Sequence, residues 1–174
     1  MDISLDLIKQ LREKTSAGVA DCRRALEEAE GDLKKAEQIL NKRGLEMAEK
    51  KADRSAKQGL IASYVHHDHK TGVLLEVNCE TDFVARNEDF RHFVKDLTIQ
   101  IAATAPLYIK KEDVPKEALA DVDKKDEFFK AHCLMEQPFV KDASIVIKDY
   151  LGSVIGKLGE NIVVRRFARY KVGE

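Results

Sequence analysis

The chain has no excess of charge of either sign: 30 Lys and Arg stand against 31 Asp and Glu in 174 residues, a formal net charge of -1. No global field gathers nucleic acid or an anionic membrane, so a partner must be recognised locally. Long apolar runs are missing as well. No stretch reaches the roughly 18 to 20 apolar residues that cross a bilayer, and the start MDISLDLIKQ is acidic where a secretory leader would open basic. A cytoplasmic protein is therefore expected. Cysteine is scarce: Cys22, Cys79 and Cys133 are odd in number, far apart and without C-x-x-C spacing. That pattern argues against a disulfide framework and for buried, unreactive thiols.

Catalytic signatures are absent too. There is no G-x-x-x-x-G-K-[ST] to cradle a nucleotide, no G-x-G-x-x-G after a strand and no G-x-S-x-G elbow. The expectation is a protein that makes or breaks no bonds, needs no cofactor and binds no nucleotide phosphates itself.

What is present divides into two parts. The first third carries three short helical stripes. Leu5, Ile8 and Leu11, with Leu7 above Leu11, end at Thr15-Ser16-Ala17-Gly18; Val19, Cys22, Leu26 and Ala29 end at Gly31; Leu33, Ala36, Ile39 and Leu40 follow Asp32, a good N-cap, and stop before Gly44. Three helices in so few residues bury little and suit a recognition module attached to something larger. Leu45 to Gln58 reads as a charged, solvated linker with partial helicity. The division falls near residue 55, giving a module and linker over 1–54 and a core over 55–174.

In the core the period changes. GLIASYVHH and VLLEVNC flank the polar turn DHKTG and read as a hairpin. Asn87 caps a helix with Glu88 and Asp89 in its first turn and the stripe Phe90, Phe93, Val94, Leu97, Ile101, ended by Pro106. LYIKKEDVP is extended, and the segment from Pro115 to Phe139 is helical in propensity but broken. Ser144 is expected to cap a helix carrying Ile147, Tyr150, Leu151, Val154, Ile155 and Leu158. ENIVVRRFARYKV is a final strand. The fold class is α+β: a three-helix bundle, then an antiparallel sheet covered by helices on one side.

Several clusters carry candidate chemistry. His66, His67 and His69 beside Asp68 suit a metal by type, but neighbours on a hairpin point to opposite faces, so a polar turn is the stronger reading. Cys79 with His92 or His132 would be a nucleophile only if the fold joined them, and nothing local activates the thiol. Arg165, Arg166, Arg169 and Lys171 with Phe167 and Tyr170 could line single-stranded nucleic acid or could be a solvated strand face. GSVIG is a small-xxx-small pattern that suits close helix packing. EVNCETDFV differs from these, because it sets Asp82 and Phe83 side by side where a strand stops. Capping explains Thr81 or Asp82 and burial explains Phe83; exposed, the ring would instead be a wedge for a partner's crevice.

At these residues the chain resembles the elongation factor Ts family of bacteria. LIKQLREKTSAGVADCRRALEEAEGDLKKAEQIL is similar to its N-terminal ubiquitin-associated-type bundle, GVLLEVNCETDFVARNEDF to its core signature, and EQPFVKD and KLGENIVVRRF to two later blocks. The blocks keep the family's order over residues 5 to 110 and 135 to 172. The resemblance implies a guanine-nucleotide exchange factor for elongation factor Tu in translation. It implies that Thr81, Asp82, Phe83 and Val84 meet the partner near its magnesium and phosphate site, with Phe83 inserted and Asp82 holding the displaced arrangement. It implies that Arg12, Val19, Ala20 and Arg23 of the module grip the partner's nucleotide domain.

Two departures matter. The segment between Pro115 and Gln137 is shorter than the family's long helical insertion, and one core unit stands where long members have two; the resemblance to short members then implies a homodimer. Val19 and Ala20 are smaller than the apolar residues of long members, which implies a weaker module contact. The alternatives are an adaptor that binds another protein without exchange, or an RNA-binding protein using the C-terminal basic strand.

Overall fold

The computed structural model describes residues 3–15 and 17–174. Ser16, in the expected break after the first helix, and the first two residues of the acidic start lie outside them.

Helix α1 (Leu5–Thr15) buries Ile8 and Leu11, α2 (Val19–Glu28) buries Cys22, Ala25 and Leu26, and α3 (Leu33–Lys51) buries Ala36 and Leu40. These residues form a small core of their own. Leu5 and Val19 are exposed, so the stripes are narrower than their sequence spacing suggests. Asp32 caps α3 by accepting hydrogen bonds from the N–H groups of Lys34 (2.9 Å) and Lys35 (3.0 Å).

The end of α3 differs from the expectation. The helix does not stop before Gly44 but continues to Lys51, through the first half of the segment read as a solvated linker. The reason is tertiary. Gly44 is buried against Gly152 of α7 (Ile147–Leu158), where a Cβ at position 44 would come within 2.7 Å of the Gly152 carbonyl oxygen. GSVIG is therefore a helix-packing surface, as its spacing suggests.

The core sheet has the order β1 (Gln58–Val65), β2 (Thr71–Cys79), β5 (Ile162–Lys171), all antiparallel. Val73, Leu75, Val77 and Cys79 alternate inward along β2 and meet Phe90, Phe93, Val94, Leu97 and Ile101 of α5 (Glu88–Thr104). Asn87 caps α5 as expected, accepting from the Asp89 N–H at 2.8 Å. The helix ends at Thr104, and a left-handed Ala105 caps it just before Pro106. Between β2 and β5 the register slips at Glu76 and Val77: Glu76 pairs with Arg166 while Val77 pairs with Val164, leaving Arg165 of β5 as the extra residue. That bulge turns both Arg165 and Arg166 outward and breaks the strict alternation of VVRRF.

Between the two strand groups the chain carries short 3-10 turns at Lys111–Asp113 and Lys116–Leu119 and helix α6 (Lys125–His132). A small ribbon of β3 (Pro138–Phe139) and β4 (Asp142–Val146) follows. Ser144 is not the cap of α7: it lies in β4, and its N–H and hydroxyl both donate to Asp142 Oδ1, at 3.0 and 2.6 Å. A nearby acceptor in its own strand takes the Ser144 hydroxyl, and α7 starts after Val146 without a side-chain cap.

Candidate protein-interaction site

The EVNCETDFV stretch ends β2 and begins α4 (Asp82–Ala85), a single helical turn. Thr81 is its N-cap, with the side-chain oxygen accepting from the Val84 N–H at 3.3 Å. Val84 is buried and anchors the turn to the core, whereas Phe83 is 83% exposed. A ring left this far in water is not held there by core packing, so the burial reading of Phe83 fails. Asp82 is exposed beside it and pairs with Arg86 at 2.5 Å along the same turn.

The corner is held from a distant part of the chain. Glu160 Oε2 accepts from the backbone N–H groups of Glu80 (3.1 Å) and Thr81 (2.9 Å), and Oε1 accepts from the Thr81 hydroxyl (2.6 Å). Glu80 returns the contact, its Oε1 accepting from the Asn161 N–H at 2.7 Å and lying 3.7 Å from the Arg54 guanidinium. The buried Asn161 amide donates to the carbonyls of Ala52 (3.3 Å) and Arg54 (2.8 Å). Three segments meet here: the chain after α3, the end of β2 and the start of β5. Sequence reasoning had no role for Glu80, Glu160 or Asn161. The only signal was the GEN triplet inside the block KLGENIVVRRF, which shows no periodicity of its own.

The second expected group lies on the module. Arg12 projects from α1, and Val19, Ala20 and Arg23 from α2; all four are exposed, and Arg23 pairs with Glu27 at 3.0 Å. Val19 thus belongs to the outer surface and not to the apolar stripe.

The other candidates resolve into structural roles. Cys79 donates its thiol proton to the Thr81 carbonyl at 3.1 Å, and burial, assisted by the Glu160 charge, pushes it up to about 11. Such a thiol is protonated at neutral pH and is no nucleophile. Cys22 and Cys133 are likewise buried and free, and burial raises both. Tyr64 Oη and His66 Nδ1 are hydrogen-bonded at 2.9 Å, and Asp68 accepts from the Lys70 N–H, the pattern of a polar turn. Among the described residues no group of His, Cys, Asp and Glu has metal-ligand geometry. The basic strand is largely answered by acids: Arg166 by Glu76 at 2.7 Å, Arg169 and Lys171 by Glu174 at 2.9 Å each. Among the described residues no helix is long and apolar enough to cross a membrane.

A small helical module on an α+β core, offering a braced corner that bears an exposed ring, has the build of a protein that binds another protein. Residues 5–127 match the sequence model of the family described as Elongation factor TS. The chain is 48% identical to Elongation factor Ts of Thermotoga neapolitana over 195 aligned positions, covering 100% of this chain and 99% of the relative. It is 48% identical to Elongation factor Ts of Coprothermobacter proteolyticus over 197 positions, covering all of both chains. The alignments are longer than the 174 residues here because the relatives carry additional residues. The chain belongs to the elongation factor Ts family.

Proposed function

We propose that this chain releases GDP from elongation factor Tu by lodging the Phe83 ring beside that GTPase's magnesium and phosphate site. As a member of the elongation factor Ts family it is a guanine-nucleotide exchange factor of translation elongation. It needs no bond chemistry for this task. A factor that binds the empty GTPase more tightly than the loaded one weakens the nucleotide by the same coupling energy. A preference of about 4 kcal/mol changes affinity roughly a thousandfold. Magnesium is the effective target because it bridges phosphate oxygens and offsets their charge.

The observation that carries this reading is the 83% exposure of Phe83 on a turn whose neighbours are hydrogen-bonded from β5 and capped by Thr81. Val84 anchors the turn, and Asp82 stands at the mouth of the contact. Arg12, Val19, Ala20 and Arg23 form the module's share of the interface. Among the described residues two separate buried clusters, one within α1, α2 and the first half of α3 and one in the core, support a module followed by a core, with the second half of α3 packed on α7 and the core through Gly44 and Ala48. The test is release of a fluorescent GDP analogue from elongation factor Tu, chased with unlabelled GDP, with this chain at substoichiometric amounts. Accelerated, multiple-turnover release is expected; unchanged release rules the reading out.

The proposal includes a homodimer. One core unit leaves the outer sheet face uncovered, and the strand register sets Ile61, Val65, Leu74 and Tyr170 together on it, all exposed. Such an apolar face is an interface candidate. Sedimentation equilibrium should give twice the 19.7 kDa chain mass, and a monomer at micromolar concentration would remove this part.

A further inference from the structure

The turn that carries Phe83 is a single turn, too short to be stable alone. The N–H groups of Ala85, Arg86 and Asn87 donate to carbonyls within it, but so few bonds do not offset the cost of fixing the backbone, and the turn needs support from outside. Part of that support comes from a residue 79 positions away in sequence. Helix α7 ends at Leu158, and Gly159 takes a left-handed backbone (φ 73°) that swings the chain back toward the end of β2. Glu160 follows at once. Its two oxygens take the Glu80 and Thr81 N–H groups and the Thr81 hydroxyl proton. Because that proton is committed to Glu160, a lone pair of the Thr81 oxygen is left to face the Val84 N–H. A single carboxylate therefore sets both the entry of the turn and the orientation of its cap. Lys51 Nζ on the Gly159 carbonyl, at 2.5 Å, fixes the loop that carries Glu160 to the end of α3.

We infer that Glu160 is a positioning residue for exchange: it stiffens the 80–84 turn so that seating Phe83 deforms the partner's site and not the turn itself. The inference rests on the reading of Phe83 as the inserted group. The physical content is preorganisation. A soft turn could still dock, but part of the docking energy would go into ordering or bending it, and less would reach the nucleotide site. Glu160 touches neither partner nor nucleotide in this scheme; it acts through Thr81 and the backbone beneath Phe83.

The experiment is the release rate of fluorescent GDP from elongation factor Tu, measured against increasing concentrations of the wild-type chain and of Glu160→Ala, Glu160→Gln, Thr81→Val and Phe83→Ala. Glu160→Ala should lower the maximal rate about tenfold while the half-saturating concentration moves less than about threefold. Glu160→Gln should recover to within about threefold of wild type, since its amide oxygen still accepts from the two N–H groups and its NH2 can donate to Thr81. Thr81→Val, which deletes the hydroxyl that Glu160 orients, should slow the maximal rate in a chain of near-normal melting temperature. A wild-type maximal rate in Glu160→Ala, or equal losses in the Ala and Gln variants, overturns the inference. Should Glu160→Ala fail to fold, a Thr81→Val chain that stays folded and releases GDP at the wild-type maximal rate overturns it. Failure of the underlying reading looks different: wild type that does not accelerate release, or Phe83→Ala as active as wild type.

Discussion

Gly44 in the middle of α3 lies directly against the backbone of Gly152 in α7, with no room for a Cβ at position 44: it would meet the Gly152 carbonyl oxygen at 2.7 Å and carbon at 2.9 Å. Ala at position 44 would gain about 1 kcal/mol of helix propensity, yet backbone cannot step aside cheaply, and overpacking costs about 1 to 3 kcal/mol. Gly44→Ala is expected to lower the melting temperature by several degrees. Gly152→Ala, whose Cβ would meet the flexible Leu45 Cδ2 at 3.2 Å and the Leu45 backbone nitrogen at 3.3 Å, is less crowded and should cost less than Gly44→Ala. Thermal unfolding of the two variants side by side checks the asymmetry.

Phe83→Ala separates exchange from stability. The ring is 83% exposed, so its removal should change stability by less than about 0.5 kcal/mol. Catalysed GDP release should nevertheless fall at least about tenfold, the loss typical of a central interface aromatic. Asp82→Ala should fall less, because it loses an exposed pair with Arg86 while the ring remains. A large drop in melting temperature for Phe83→Ala would show that the side chain belongs to the core.

Asp32 gives the N-terminal module a specific sensitivity to acid. The N–H of Lys35, then that of Lys34, holds its carboxyl below the usual 3.8. A depressed carboxyl contributes stability that is present above its unfolded pKa and is lost as pH falls through the folded one. The cap on α3 is therefore expected to weaken below about pH 4. Asp32→Asn retains a capping oxygen without a titration and should flatten this part of the profile. Urea midpoints of both chains between pH 7 and pH 3 measure the difference.

The three thiols should be silent in the folded chain. Burial raises all of them, Cys79 to about 11, so at pH 8 only about a thousandth of Cys79 is thiolate. Iodoacetamide is expected to leave the native protein unmodified over minutes and to label three sites once urea exposes them. Fast native labelling would show that one of the buried sites opens.

Much of the architecture was legible because it follows local rules. The caps at Asp32 and Asn87 are short polar side chains before apolar stripes, and both do what their position suggests. The stripe from Phe90 to Ile101 is fully buried, and the hairpin and last strand join into one antiparallel sheet. Ser144 misled because a serine caps only when its hydroxyl has no better acceptor, and Asp142 is two residues away in β4. The end of α3 misled because Gly44 breaks a helix by propensity, yet α7 needs that glycine in the helix for close approach.

The sequence by itself determined the class of the fold, the family and the identity of the corner residues, since periodicity, capping and the TDFV block are properties of neighbours along the chain. Only the tertiary structure decided that Phe83 faces solvent and that Glu160, Glu80 and Asn161 brace the turn beneath it. Those contacts join residues about 80 positions apart, and such a pairing leaves no periodic trace in either segment.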